Sequence, residues 1–121
     1  RALGDRLVVA VNSDASVTRL KGQGRPVHRL EHRMAMLSAL KVVDFVIPFD
    51  GSIDAQGQHG DTPLDMIVKV APDILVKGAD YELDQIVGAR EVMASGGQVL
   101  TLPFVAGLSS TSIIERLAGG E

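Results

Sequence analysis

The sequence predicts an α/β fold, a doubly wound parallel sheet with helices on both faces, carried by a single domain over residues 1–121. Three observations lead there. Short continuous apolar runs of strand length alternate along the chain with segments of helical spacing. Most of these runs give way to polar or glycine-containing residues, as strands buried on both faces of a parallel sheet do. A chain of 121 residues has room for one core. Such alternation implies right-handed crossovers between successive strands.

Arg1-Ala2-Leu3-Gly4-Asp5 has the form of a last helical turn ending at a glycine cap. No helix precedes it and there is no initiator methionine, so the natural beginning is expected to be missing. Leu7 to Val11 reads as a strand buried on both faces. It leaves into Asn12-Ser13-Asp14, one of which caps a short helix over Ala15–Leu20. Leu20 to Pro26 is a loop with two glycines. Leu30, Met34, Leu37, Ala39 and Leu40 then mark one side of a helix from about Val27 to Lys41.

Val43 to Phe49 is the next strand, stopped at or just after Pro48. Asp50 to Gly60 is polar and glycine-rich, which predicts an exposed loop. Asp61-Thr62-Pro63 starts a helix, with Thr62 as cap and Pro63 in the first helical position. That helix turns Leu64, Ile67 and Val68 inward and stops before Pro72. Ile74 to Val76 is a third strand, followed at once by Lys77-Gly78-Ala79-Asp80-Tyr81. A helix over about Asp84–Ser95 ends at Gly96-Gly97, Gln98 to Pro103 is a fourth strand, and a last helix follows Gly107.

Composition narrows the function. Aromatic residues are 3% of the chain, too few for base-stacking surfaces, and the formal charge of -3 argues against a general nucleic-acid binder. There are no cysteines, hence no disulfides, thiolate metal sites or cysteine nucleophile. No apolar run approaches the roughly 20 residues of a membrane span. Cytoplasmic residence is expected. Basic character is concentrated between Arg19 and Arg33, where Arg19, Lys21, Arg25, Arg29 and Arg33 face Glu31 alone; a small phosphate-bearing substrate calls for such a segment.

In an open parallel sheet, ligands bind beyond the carboxyl ends of the strands. Three polar exits would meet there: Asn12-Ser13-Asp14, Lys77 to Asp80, and Gly107-Leu108-Ser109-Ser110-Thr111-Ser112. At the last of these, free backbone N–H groups and the hydroxyls of Ser109, Ser110 and Thr111 can point at one phosphate. Ordinary N-capping is the other reading of the same residues. Lys77 offers a point charge, Gly78 lets backbone approach closely, and Asp80 can accept from a hydroxyl or hold Mg2+ through water; alternatively this is a solvated turn. Arg25 and Arg33 present planar forks suited to phosphate oxygens. His28-Arg29-Leu30-Glu31-His32 also fits the H-x-x-E-H pattern of inverted zinc proteases, with both histidines one turn apart on a helix.

Several stretches together resemble one family: Leu3 to Asp14, Lys21-Gly22 with Arg25-Pro26, Glu31-His32-Arg33 with Leu37 to Leu40, Val43-Asp44, Asp61-Thr62-Pro63, Pro72 to Tyr81, and Gly107 to Ile114. They are similar to the cytidylyltransferase-like nucleotidyltransferases, and most of all to the branch that adenylylates heptose 1-phosphate in lipopolysaccharide core synthesis. The resemblance covers nearly the whole chain. It implies a Rossmann-like fold of the type whose first strand enters a helix carrying H-x-G-H, histidines that stabilise the transferring phosphate. This sequence lacks that motif, in keeping with the expected missing front. Ala79 stands where the family has glycine, and the loop from Gly51 to Gly60 is longer than usual.

The resemblance further implies transfer of AMP from ATP to a sugar 1-phosphate with Mg2+, releasing pyrophosphate and ADP-heptose. Ser109, Ser110 and Thr111 would contact the nucleotide phosphates with help from Arg33 and Lys21, and Asn12, Lys77, Gly78 and Asp80 would line the cleft. The partners are then small molecules, with no nucleic acid or membrane, and a homo-oligomer is expected. Alternatives are a CTP-dependent enzyme acting on glycerol 3-phosphate and a non-catalytic Rossmann-like nucleotide-binding module.

Overall fold

The computed structural model describes residues 1–53, 56, 59–78 and 82–119. Apolar runs at both ends of the chain make four five-residue strands, and all four pair in parallel. β1 (Val8–Asn12) pairs with β2 (Phe45–Phe49), Val8 opposite Phe45 and Asn12 opposite Phe49. β5 (Ile74–Gly78) pairs with β6 (Gln98–Leu102), Ile74 opposite Gln98 and Gly78 opposite Leu102. The α/β expectation holds, but among the described residues the strands form two pairs, not one continuous sheet. Each crossover stays within its own half, and what joins the halves is a short hairpin and a helix.

In the first half, β1 passes into α1 (Asp14–Lys21), whose N-cap Ser13 accepts from the Ser16 N–H. α2 (Leu30–Ser38) follows and packs on both strands. It is shorter than the predicted 27–41 helix at both ends. Its first N–H, that of Leu30, is taken by a carboxylate from α1, which fixes the start three residues later than sequence spacing suggests. At its other end the backbone breaks into turns through Leu40 and Val43.

β3 (Ser52–Ile53) and β4 (His59–Gly60) pair antiparallel, so the predicted loop has a ladder at its base. Residues 54, 55, 57 and 58 lie outside the described residues. α3 (Leu64–Val70) begins one residue later than expected, with Pro63 at the cap position. Thr62 does not cap it. The buried Ser52 hydroxyl does, accepting from the Asp65 N–H at 3.0 Å while donating to the Thr62 carbonyl at 2.8 Å. Ile67 of this helix is buried as expected, whereas Val68 is 54% exposed.

The predicted 84–95 helix is split into a 3-10 turn (Leu83–Gln85) and α4 (Ala89–Ala94). Gly88 stands between them at φ +84°, and a Cβ there would lie 2.8 Å from the Ile67 side chain. The chain therefore turns sharply where α3 presses on it. Ile67, Ile86, Ala89, Val92 and Val99 form the core, with Met66 and Leu75 against it. This core belongs to the second half. The last element is α5 (Ser110–Ala118). No helix among the described residues is long and apolar enough to cross a membrane.

Arg1 to Asp5, expected as the last turn of a helix, form a single turn closed by Gly4 N–H on the Arg1 carbonyl. The front is tied down by Asp44, which accepts from the Leu7 N–H at 2.7 Å and pairs with Arg6 and Arg1. The Leu7 hydrogen bond, aided by the two guanidinium groups, holds its carboxyl below the usual carboxylate range. A depressed carboxyl contributes stability above its unfolded value and loses it as pH falls through the folded one. The thermal-stability advantage of the parent over Asp44→Asn is therefore expected in full near neutrality and should shrink as pH drops below about 3.9; an advantage unchanged at pH 2 would contradict this. Packing yields a second expectation. A Cβ at Gly97 would sit 2.7 Å from Val92 Cγ1 and 2.8 Å from the Asp73 carbonyl oxygen. Gly97→Ala should lower unfolding free energy by about 1–3 kcal/mol in denaturant titration, and an undiminished midpoint would show that the backbone gives way.

Candidate active site

The site is built where β1 ends. Asn12 closes the strand, and its side-chain amide donates to the fully buried Ser16 hydroxyl at 3.1 Å, which turns it toward α1. Ser13 continues the ladder by donating its N–H to the Phe49 carbonyl at 2.8 Å, and its hydroxyl donates to the Asp50 carboxylate. The exits of β1 and β2 are thus held side by side.

The structure places Arg33, carried by α2, against the Asn12 carbonyl at this exit. Its Nε donates to the His28 carbonyl at 2.9 Å, Nη1 to the Asn12 carbonyl at 2.8 Å and Nη2 to Asp14 Oδ1 at 2.7 Å. The side chain is only 19% exposed. A fork bound to three segments is fixed in plane and direction, and the ionised partner makes the Asp14 bond the strongest of the three.

The other predicted cations divide into two kinds. Arg19 is committed internally: it donates to Asp61 at 2.7 Å and to the Asp50 carboxylate at 3.1 Å. The Asp61 hydrogen bond in particular raises its already high pKa, so it remains charged throughout the pH range of interest. Lys21, last in α1, and the Arg29 side chain are exposed. Neither side chain has a hydrogen-bond partner or ion pair among the described residues. Arg25 lies between these cases, donating to the Thr111 hydroxyl at 3.2 Å. The basic segment is therefore partly an internal scaffold, since Arg19 and Arg33 are neutralised by carboxylates that the sequence count did not pair with them.

The Arg25 bond brings the loop after α1 to the first turn of α5. There Ser109 is the N-cap, its hydroxyl accepting from the Ser112 N–H at 3.0 Å. Ser109 fulfils the capping reading. Ser110 and Thr111 occupy the exposed first turn, where backbone N–H groups lack intrahelical acceptors and face outward. Lys77 and Gly78 end β5; they belong to the strand and not to the turn after it, because the ladder to Thr101 and Leu102 extends through them. Among the described residues, a Cβ on Gly78 would meet the Phe104 ring at 3.6 Å, an ordinary contact. Asp80, with Ala79 and Tyr81, lies outside the described residues.

The zinc reading fails on geometry. α2 begins at Leu30, so His28 is not on the helix with His32. His32 Nε2 is 3.5 Å from its neighbour Glu31. Among the described residues no three histidines, aspartates or glutamates gather at a possible metal site. The residue that sequence reasoning missed is Asp14, whose carboxylate serves both Arg33 and Leu30. Its partners are 16 and 19 residues away, beyond any local pattern; only the topology, which starts α1 and α2 at the same strand end, brings them together.

Parallel strands alternating with helices, polar strand exits and a hydroxyl-rich helix start define a Rossmann-like α/β protein of the nucleotidyltransferase kind. The cytidylyltransferase-like family model matches residues 1–116, and the chain belongs to that family. It is 51% identical over 117 residues to the bifunctional protein HldE of Shewanella sp. (strain MR-4), covering 97% of this chain and 23% of that protein. It is likewise 51% identical over 120 residues to the bifunctional protein HldE of Yersinia enterocolitica, covering 99% of this chain and 23% of that one. The chain thus spans about a quarter of the length of these relatives. Among solved structures, the lipopolysaccharide core biosynthesis protein from Thermoplasma volcanium matches with a TM-score of 0.56 and 30% identity, over 86% of this chain and 76% of that one.

Proposed function

We propose that this chain carries out nucleotidyl transfer, moving AMP from ATP to heptose 1-phosphate in lipopolysaccharide core precursor synthesis. The observation that carries the reading is the Arg25–Thr111 bond, which sets a free-ended helix start and a cationic loop side by side in a cytidylyltransferase-like chain. The resemblance to heptose 1-phosphate adenylyltransferases supports the substrates, and the likeness to the lipopolysaccharide core biosynthesis protein of Thermoplasma volcanium supports the setting. In the reaction a sugar phosphate oxygen attacks the α phosphorus of ATP, the bond to the β phosphate breaks, and pyrophosphate leaves.

The protein's contribution is alignment and charge stabilisation. Ser110, Thr111 and the α5 terminus bind nucleotide phosphates, with Ser109 shaping that turn. Lys21 supplies a mobile cation and Arg33 a fixed one. Asn12, Lys77, Gly78 and Asp80 line the nucleotide cleft. Mg2+ would be carried mainly by the substrate phosphates, with Asp80 as the chain's own candidate ligand. Bound there, the ion would neutralise phosphate charge.

The reading extends to organisation, with residues 1–121 as one nucleotidyltransferase domain. The absence of cysteine fits cytoplasmic residence. Exposed Ile113 and Leu117 on α5 fit a homo-oligomer.

Full-length protein given ATP and heptose 1-phosphate should release pyrophosphate and form ADP-heptose, followed by a coupled phosphate assay and mass spectrometry. Turnover with CTP and glycerol 3-phosphate instead would reassign the substrates, and no turnover with either would favour a binding module. Thr111→Val keeps shape and removes a donor to a charged ligand, so kcat/KM for ATP should fall about 10-fold or more. Its melting temperature should hold, because the side chain is exposed. Parental kinetics in this variant would remove Thr111 from the site.

A further inference from the structure

Arg33 can act on a phosphate only if something keeps it aimed, and the strongest of its bonds leads to Asp14. One oxygen of Asp14 accepts from two donors: the Leu30 N–H at 2.8 Å and Arg33 Nη2 at 2.7 Å. The first of these bonds does the work of a cap. Arg29, at the N-cap position of α2, makes no side-chain cap bond, so the orphan N–H at the helix start is satisfied by a residue from α1. The second bond holds a guanidinium one turn further along the same helix. Position of the helix and direction of the fork are thereby set together.

The geometry points to Asp14 as a positioning residue for the reaction proposed above, on which this inference rests: it aims Arg33 at the phosphate being transferred. A guanidinium carries five N–H groups, and three hydrogen bonds to His28, Asn12 and Asp14 leave two for a ligand. Those two point where the three bonds dictate. Without the carboxylate the charge remains, but its direction is held only by two neutral carbonyls. Loss of aim costs most where charge grows, in the transition state, so it appears in kcat and not in ground-state affinity.

Asp14→Asn is the discriminating change, since the amide oxygen can still accept from Leu30 while the ionic partner of Arg33 is gone. In full-length protein supplied with ATP and heptose 1-phosphate, D14N should lower kcat about 10-fold while KM for ATP rises by less than about 2-fold. Its melting temperature should fall by no more than about 5 °C, the cost of exchanging a charged hydrogen-bond partner for a neutral one. In an Arg33→Ala background the same change should cost nothing further, because the group it aims is already absent. A D14N protein with parental kcat, one whose loss lies in KM, one that fails to fold, or an equal loss in the R33A background would each overturn the assignment. A parent that makes no ADP-heptose would overturn the functional reading and this inference with it. A working parent with an unimpaired D14N would overturn this inference alone.

Discussion

A carboxylate oxygen shared between a helix N–H and a guanidinium is the joint around which the first half of the molecule is set. Through Asp14, the end of β1, the start of α1 and the start of α2 become one unit. A second joint lies beside it, where Asp50 accepts from Ser13 and Arg19, and Arg19 also holds Asp61. The second half is constructed differently: its cohesion comes from Ile67, Ile86, Ala89, Val92 and Val99. Polar ties thus organise the half that carries Asn12 and Arg33, and apolar packing organises the half that carries β5 and β6. Ionic bonds at a strand exit fix direction, which a hydrophobic contact does not.

This division explains which parts of the structure were legible in the sequence. Strands were, because continuous apolar runs such as Val8 to Val11 fit little else, although the expected burial on both faces is not seen: Ala10 is exposed and Val8 and Val9 are half-buried. Helix ends were not. α2 starts where Asp14 reaches it, α3 is capped by Ser52 from a hairpin, and the helix expected over 84–95 breaks at Gly88 because Ile67 occupies the space. Each boundary is decided by a residue distant in sequence, and local propensity carries no trace of it. For the site, residue types were readable but pairings were not. Arg33, expected to assist at the helix start after Gly107, is bonded to the Asn12 carbonyl and to Asp14, while Arg19 and Lys21, alike on paper, have opposite circumstances: one committed to Asp61, one exposed.

What remains is why the cations of one segment should differ so much in how firmly they are held. Arg33 is bound by an ionised carboxylate, and hydrogen bonds to charged groups are worth roughly 1.5–3 kcal/mol against about 0.5–1.5 kcal/mol for neutral pairs. Arg25 rests on a hydroxyl, a neutral acceptor, at the longer distance of 3.2 Å. If the chain transfers nucleotides as proposed, an arriving phosphate displaces Thr111 from Arg25 more readily than Asp14 from Arg33, whose remaining N–H groups stay open to it. In the proposed reaction the two arginines therefore have complementary duties. Arg33 is a preorganised charge whose ordering was completed in folding, so binding substrate costs it little. Arg25 only occupies a lone pair of the Thr111 hydroxyl, whose O–H stays available to donate to a phosphate, so in the proposed reaction guanidinium and hydroxyl can meet the same ligand together.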